Sequence, residues 1–135
     1  MSQHTLSALF IPKSVAVIGA SSKANRAGNV VMRNLLASGF SGPIMPVTPK
    51  YKAVLGVLSY ANIEQLPQVP ELAIICLQFQ RITPVLTQLA QLGCKATVII
   101  ASGVLATDDG KKHQQQWQDI AESMGIRILG ANSLA

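Results

Sequence analysis

The first 63 residues of this 135-residue chain, referred to below as its first half, contain no acidic side chain. Residues 1–63 have no aspartate or glutamate, whereas residues 64–135 carry six acidic and five basic side chains. The formal net charge of +5 therefore lies entirely on the first half. A one-sided positive field attracts partners that carry phosphate groups. The basic residues of the first half are Lys13, Lys23, Arg26, Arg33, Lys50 and Lys52.

Several other features are scarce, and each scarcity excludes a class of protein. Aromatic residues make up only 4% of the chain and no arginine-rich cluster occurs, so nucleic acid is not the expected partner. No apolar run reaches the roughly 18 residues of a membrane span, and residues 1–9 lack the pattern of a signal peptide. Cys76 and Cys94 have no C-x-x-C spacing and no nearby histidine, so we expect buried free thiols. The sequence thus predicts a cytoplasmic protein that holds no metal.

Apolar residues make up 49% of the chain and charged residues 13%, which is typical of one globular domain. Short aliphatic runs suit parallel strands that are buried on both faces. These runs alternate with stretches of helical periodicity, one of which includes Trp117 on its apolar side. The order predicts an α/β, Rossmann-like fold: a mostly parallel sheet with helices on both faces. The predicted strands are residues 14–18, 43–47, 57–60, 72–77, 96–100 and 126–129, and the predicted helices are 27–38, 84–92 and 108–124.

Local signals predict where the helices begin. Thr83 is expected to be the N-cap of the second helix, with Pro84 at its first helical position. Asp108 or Asp109 is expected to cap the third helix. Asn62 is expected to cap a single short turn before the fourth predicted strand.

The loop that follows the first predicted strand has the composition of an anion-binding loop. Gly19 permits a tight turn and a close approach of the backbone to a ligand. Ser21 and Ser22 supply hydroxyl donors, and Lys23 and Arg26 supply positive charge. The loop departs from the G-x-G-x-x-G fingerprint, because Ser21 occupies the second glycine position and Ala24 the third. An ordinary tight turn is therefore a competing interpretation of this loop.

The end of the second predicted strand distinguishes between nucleotide cofactors. NAD-binding domains place an acidic residue there to receive a ribose hydroxyl. This chain has PVTPKYK at residues 46–52, with Lys50 and Lys52 where the acid should be. An ammonium group suits a ribose phosphate, which coenzyme A and NADP both carry. Free NAD is the less suitable ligand.

Groups that could carry out catalysis are scarce. His4 and His113 have no carboxylate or nucleophile placed to use them, so we expect both to be solvated. The sequence has no zinc-ligand spacing, no carboxylate pair and no nucleophile elbow. These observations predict a binding domain that lacks catalytic residues.

Several segments resemble one known family. Residues 9–21 (LFIPKSVAVIGAS) look like the opening of the CoA-binding domain of NDP-forming acyl-CoA synthetases, and residues 46–50 and 129–133 resemble two further motifs of that family. The family usually has proline where this chain has Ala131. The segments 25–28, 32–36 and 52–58 are similar to the start of the bacterial Pat-type protein lysine acetyltransferases, which join a synthetase-like region to a GNAT domain.

The resemblance implies a ligand, coenzyme A or acetyl-CoA, and a set of residues that bind it. It implies phosphate contacts from Ser21, Ser22 and Lys23, with Gly19 and Arg26 beside them. It also implies a nucleotide contact from Lys50 or Lys52 and a turn after the fifth predicted strand that lines the site. The residues of that turn are Ile100, Ala101 and Ser102.

The resemblance leads us to expect the N-terminal piece of a longer protein, with other domains of that protein as its partners. The first expectation for the whole protein is a lysine acetyltransferase, because of the narrower similarity. The alternatives are an NDP-forming acid–CoA ligase and an NADP-binding sensor module. The domain alone is expected to catalyse nothing. The sequence leaves open the preferred acyl group, the oligomeric state and any regulatory role.

Overall fold

A computed structural model of the protein describes residues 11–103 and 106–133. Residues 1–9, which were expected to lack a signal peptide and to include a solvated His4, lie outside the described residues. The described part contains three α-helices, a five-stranded sheet, a small hairpin and two 3-10 turns at Ile63–Gln65 and Phe79–Arg81. The strands and helices are, in chain order, β1 (Val15–Ile18), α1 (Ala27–Ala37), β2 (Ile44–Val47), β3 (Ala53–Val54), β4 (Val57–Leu58), β5 (Leu72–Gln78), α2 (Ile82–Leu92), β6 (Ala96–Ser102), α3 (Asp108–Met124) and β7 (Arg127–Ser133).

The five strands of the main sheet are all parallel and lie in the order β2-β1-β5-β6-β7. β1 is an internal strand, and all four of its residues are buried. At the end of this strand, Ile18 lies opposite Val47 on one side and Ile75 on the other. The uninterrupted apolar run of β1 follows from this position, because a parallel strand covered on both faces needs apolar side chains on both.

Helices cover both faces of the sheet, which confirms the predicted fold class. Ala16 and Ile18 of β1 pack on one face, in a cluster that includes side chains of α2 and Trp117 of α3. Val15 and Val17 point to the other face, where they pack with Met32 of α1. This alternation is the period-2 geometry of a strand. Within the described ranges, no helix has both the length and the hydropathy to cross a membrane.

Two of the predicted helix starts are wrong. α2 begins at Ile82 with Arg81 as its N-cap, because the 3-10 turn Phe79–Arg81 runs directly into the helix. Thr83 is not a cap: its hydroxyl donates to Gln116 Oε1 at 3.1 Å and thereby joins α2 to α3. The N-cap of α3 is Thr107, whose side chain accepts a hydrogen bond from the amide of Gly110 at 3.0 Å. Asp108 and Asp109 instead occupy the first turn, where the helix dipole favours acidic side chains.

The predicted third strand, residues 57–60, is half of a hairpin. β3 and β4 pair antiparallel around a two-residue turn in which Leu55 has φ +51° and Gly56 has φ +83°. Positive φ at both central positions is the geometry of a type I′ turn, which matches the twist of the two strands. Tyr60 then makes a parallel bridge with Val47 at the end of β2. The hairpin is thereby attached beside the carboxyl end of β2.

Candidate phosphate-binding site

The order of the sheet reverses next to β1. The chain passes from β1 outwards to β2, and the later strands β5, β6 and β7 lie on the opposite side of β1. Parallel α/β sheets bind ligands at such a switch point, outside the carboxyl ends of the strands. Two segments meet the crevice at β1 and β2: the β1–α1 loop (residues 19–26) and the segment after β2 (residues 48–52).

Gly19 begins the β1–α1 loop with φ +88°. A Cβ atom at this position would lie 2.1 Å from the carbonyl oxygen of Cys76 in β5. The glycine is therefore required by the close packing of β1 against β5, in addition to the left-handed turn. The amide of Gly19 donates to the carbonyl of Val47 at 2.9 Å, so the loop leaves the sheet beside the end of β2.

Gly28, and not the residue at position 24, has the role of the third glycine in the dinucleotide fingerprint. That glycine permits close packing between helix and strand. A Cβ atom at Gly28 would lie 2.0 Å from the carbonyl oxygen of Gly19. The glycine that packs the helix against the strand therefore lies four residues later than in the fingerprint, because this loop is longer than the standard one before it enters α1.

The predicted phosphate ligands of the loop are accessible. Ser21 is partly buried, and Ser22, Lys23 and Arg26 are exposed. The hydroxyl oxygen of Ser21 accepts a hydrogen bond from the amide of Lys23 at 3.1 Å. Its hydroxyl hydrogen can still be donated to a ligand, because a serine hydroxyl is one donor and two acceptors.

The N-terminus of α1 adds backbone donors to this site. Arg26 is the N-cap of the helix, and its side chain makes no capping hydrogen bond. The first amides of a helix have no partner within the helix and favour anions. The first turn of α1 contains no acidic side chain that would compete for them.

Two residues that the sequence analysis missed support the loop from α1. Asn29 is 3% exposed, and its Nδ2 donates to the carbonyl of Ser21 at 3.0 Å. Arg33 donates from Nε to Asn29 Oδ1 at 2.8 Å and from Nη2 to the carbonyl of Ala24 at 3.0 Å. The only sequence signal was a polar residue, Asn29, three positions before Met32 on the buried side of the helix.

The segment after β2 has a fixed backbone and free lysine side chains. Thr48 is buried, its amide donates to the carbonyl of Tyr60 at 2.9 Å, and its hydroxyl accepts from the amide of Lys50 at 3.2 Å. The carbonyl of Lys52 accepts from the amide of Ser59 at 3.0 Å. Both lysine side chains are exposed. The hairpin therefore holds the backbone that carries the two ammonium groups.

The three predicted site residues after the fifth predicted strand are not in a turn. Ile100, Ala101 and Ser102 are the last three residues of β6, which extends further than predicted. The side chain of Ala101 is fully buried in the core on the α2 and α3 side. Ile100 and Ser102 are partly buried and lie opposite Cys76 and Gln78 of β5. In the sheet, these two residues lie on the opposite side of β1 from the segment that carries Lys50.

His113 is not the solvated histidine that the sequence predicted. Its side chain is 19% exposed, and its ring packs edge-on against Phe79 with 5.2 Å between the ring centroids. Its Nε2 lies 3.7 Å from Asp109 Oδ1. Phe79 follows β5 directly and also packs against Gly103, where a Cβ atom would lie 2.6 Å from the phenyl ring. The histidine therefore helps to pack the carboxyl ends of β5 and β6.

The two cysteines are free thiols with little chemical reactivity. Cys94 is buried and Cys76 is partly buried, as expected for the first and less completely so for the second. Burial raises the pKa of Cys76 to about 12 and the pKa of Cys94 to about 11. Both are therefore protonated at neutral pH, and a protonated thiol is a poor nucleophile and metal ligand. Across residues 11–103 and 106–133, no group of three His, Cys, Asp or Glu side chains is placed to hold a metal ion.

Comparison with known proteins identifies the family of the domain. Residues 13–135 match the family model described as a CoA binding domain. The chain is 37% identical over 126 residues to the ADP-forming acetate–CoA ligase II of Archaeoglobus fulgidus, covering 93% of this chain and 19% of the relative. It is 38% identical over 133 residues to the alpha subunit of the ADP-forming acetate–CoA ligase I of Pyrococcus furiosus, covering 95% of this chain and 29% of the relative.

The chain is also similar to part of a solved structure. The dinucleotide-forming acetyl-coenzyme A synthetase 1 of Ca. Korarchaeum cryptofilum, in complex with phosphate and ADP, matches with a TM-score of 0.87 and 29% identity, covering 96% of this chain and 28% of that one. The chain thus spans less than a third of the length of each of these relatives. The family match confirms coenzyme A as the ligand expected from the sequence. The chain belongs to the family of CoA-binding domains that is found in ADP-forming acetate–CoA ligases.

Proposed function

We propose that this domain binds coenzyme A across the switch point beside β1. The diphosphate would lie over Ser21, Ser22 and Lys23, against the first amides of α1. The observation that carries the proposal is the hydrogen bond of 2.9 Å from Gly19 N to Val47 O, which brings the β1–α1 loop beside the lysine-bearing segment 48–52. Residues 1–63 contain no carboxylate that would repel the phosphates.

The ribose phosphate of coenzyme A would meet Lys50 and Lys52. Both are exposed, and the backbone that carries them is fixed through Thr48 and the hairpin. An ammonium group forms charge-assisted hydrogen bonds with phosphate, which are stronger than neutral ones. NAD lacks a ribose phosphate and is disfavoured at this position. NADP carries one and is the second small-molecule candidate.

The domain alone would bind its ligand without a chemical step. Neither thiol is ionised at neutral pH. The ring of His113 packs edge-on against Phe79. We infer that the domain acts within a larger protein, because its relatives are three to five times longer. Either coenzyme A or its acetylated form fits this role. The unpaired thiols Cys76 and Cys94 are typical of a reducing compartment and support a cytoplasmic location.

For the whole protein, an NDP-forming acid–CoA ligase is the better supported function. Two of the relatives, one with 37% and one with 38% identity, are ADP-forming acetate–CoA ligases. These relatives give no support to the lysine acetyltransferase expected first, which rests only on the resemblance of residues 25–28, 32–36 and 52–58. Acid- and CoA-dependent formation of ADP by the whole protein would support the ligase. Acetyl transfer from acetyl-CoA to a lysine peptide would support the acetyltransferase.

Calorimetric titration of this chain with CoA, dephospho-CoA, NADP and NAD tests the binding proposal. We expect CoA to bind most tightly, dephospho-CoA more weakly and NAD weakest. NADP binding as tight as CoA binding would favour the sensor module. Absence of CoA binding would refute the proposal, and transfer of acetyl groups by the purified domain would refute its role as a pure binding domain.

A further inference from the structure

The β1–α1 loop is hydrogen-bonded at two points to the helix that follows it. Asn29 Nδ2 donates to the carbonyl of Ser21 at 3.0 Å, and Arg33 Nη2 donates to the carbonyl of Ala24 at 3.0 Å. Arg33 Nε also donates to Asn29 Oδ1 at 2.8 Å, which links the two attachments. A single network therefore holds both ends of the segment 21–24, in which the proposed diphosphate ligands lie.

The chemistry of this network is specific to an arginine and an asparagine. The guanidinium of Arg33 reaches two acceptors in different directions with Nε and Nη2, which the single ammonium group of a lysine cannot do. Asn29 uses its amide both as acceptor and as donor, and neither alanine nor aspartate would preserve the donor. Among the residues that the structure describes, no carboxylate lies within ion-pair distance of Arg33. Its charge is therefore not neutralised by a neighbouring side chain.

The stability of helix α1 does not explain why a polar side chain, that of Asn29, is buried in it. Asn29 is 3% exposed and adjoins Gly28, at which α1 lies too close to the backbone of Gly19 to accommodate a Cβ atom. Asparagine is a poorer helix former than alanine or leucine. Its hydrogen bonds are directed at the loop and at Arg33, and not at another part of the core. The side chains that bind a ligand need such support, because a loop held in one conformation loses less entropy on binding.

We propose that Asn29 and Arg33 are positioning residues of the phosphate site. They hold residues 21–24 in the conformation in which the side chains of Ser21, Ser22 and Lys23 face the diphosphate. Neither needs to touch the ligand itself. The inference rests on the proposed binding of coenzyme A and adds to it two residues that determine the affinity of the loop.

The test uses two variants and two matched controls. Arg33→Lys keeps the charge and removes the double contact, and Asn29→Ala removes both amide contacts while favouring the helix. Arg127→Lys, an exposed residue at the start of β7, and Asn34→Ala, an exposed residue of α1, are the controls. Dissociation constants for CoA are measured at a temperature well below the thermal unfolding midpoint of each variant. Circular dichroism verifies that each variant is folded.

We expect Arg33→Lys and Asn29→Ala each to weaken CoA binding roughly tenfold, which corresponds to about 1.4 kcal/mol. The double variant should lose little more than either single one, because the two residues belong to one network. Both controls should bind as the wild type does. In free Arg33→Lys, the amides of residues 21–26 should exchange hydrogen faster, and saturating CoA should restore their protection.

Three outcomes separate this inference from its alternatives. If both variants bind CoA within twofold of the wild type, the loop does not need these residues and the inference is wrong. The same conclusion follows if the variants lower the unfolding midpoint but leave the dissociation constant unchanged, since the residues would then be purely structural. If the wild type itself does not bind CoA, the proposed function fails before the variants are compared.

Discussion

The contact between Gly28 and Gly19 permits a prediction that opposes simple helix propensity. Alanine is the best helix former, and replacing glycine by alanine within a helix usually stabilises by about 0.5–1 kcal/mol. At Gly28, however, the new Cβ would lie 2.0 Å from the carbonyl oxygen of Gly19 and 2.9 Å from the Cα of Ala20. Both atoms belong to the backbone, so neither can rotate away. Helix α1 or the β1–α1 loop must move.

Overpacking of this kind costs roughly 1–3 kcal/mol, occasionally more. Both clashes at Gly28 are with backbone atoms, so we take the upper half of that range, about 2–3 kcal/mol. After subtracting the propensity gain, we expect Gly28→Ala to lower the free energy of unfolding by about 1–2.5 kcal/mol. CoA affinity should fall as well, because the displaced contact lies at the start of the phosphate site. Urea unfolding followed by circular dichroism measures the first effect and calorimetry the second.

Asn34→Ala is the control for Gly28→Ala. This residue is exposed on the same helix, so its replacement should change the free energy of unfolding by no more than about 0.5 kcal/mol. If Gly28→Ala is as stable as the wild type or more stable, the close approach of α1 to the end of β1 is wrong. The assignment of Gly28 as the third glycine of the fingerprint would then fall with it.

Three further predictions concern the binding site and the thiols. Replacing Lys50 and Lys52 together by alanine should weaken CoA binding by roughly 1.5–3 kcal/mol and leave dephospho-CoA binding about equal to that of the wild type; a double variant that still prefers CoA as strongly would refute the lysine assignment. Ser21→Glu should abolish CoA binding through volume and repulsion, with the unliganded thermal midpoint nearly unchanged; retained affinity would move the phosphate site elsewhere. Iodoacetamide should alkylate Cys76 and Cys94 far more slowly in the native protein than in urea at pH 8.5, because burial raises the pKa of both thiols and keeps them protonated there; equal rates would contradict their burial.

The parts of the fold that the sequence predicted correctly are those that depend on local pattern. The run at residues 14–18 predicts a strand buried on both faces, and all four residues of β1 are buried. Trp117 continues an apolar helical stripe and is 2% exposed. Such signals arise from hydrophobic burial at a fixed period, which the neighbouring sequence determines by itself.

The residues whose roles the sequence did not predict have contact partners that are distant in sequence or are backbone atoms. His113 was expected to be solvated because its packing partner, Phe79, lies on a different element. Asn29 and Arg33 bond to backbone carbonyls of Ser21 and Ala24, and a carbonyl acceptor leaves no trace in the pattern of side chains. The same reason explains Gly28, whose need for glycine comes from the carbonyl of Gly19 and from no side chain.

Chemical-shift mapping by NMR tests the central claim most directly, because it locates the ligand without altering the protein. Backbone amides of the ¹⁵N-labelled chain are followed as CoA is added. We predict that the largest shifts fall in residues 19–29 and 48–52, with dephospho-CoA reproducing the first set and reducing the second. Shifts confined to the opposite end of the sheet, such as the groove lined by Gln118, Glu122 and Arg127, would contradict the account.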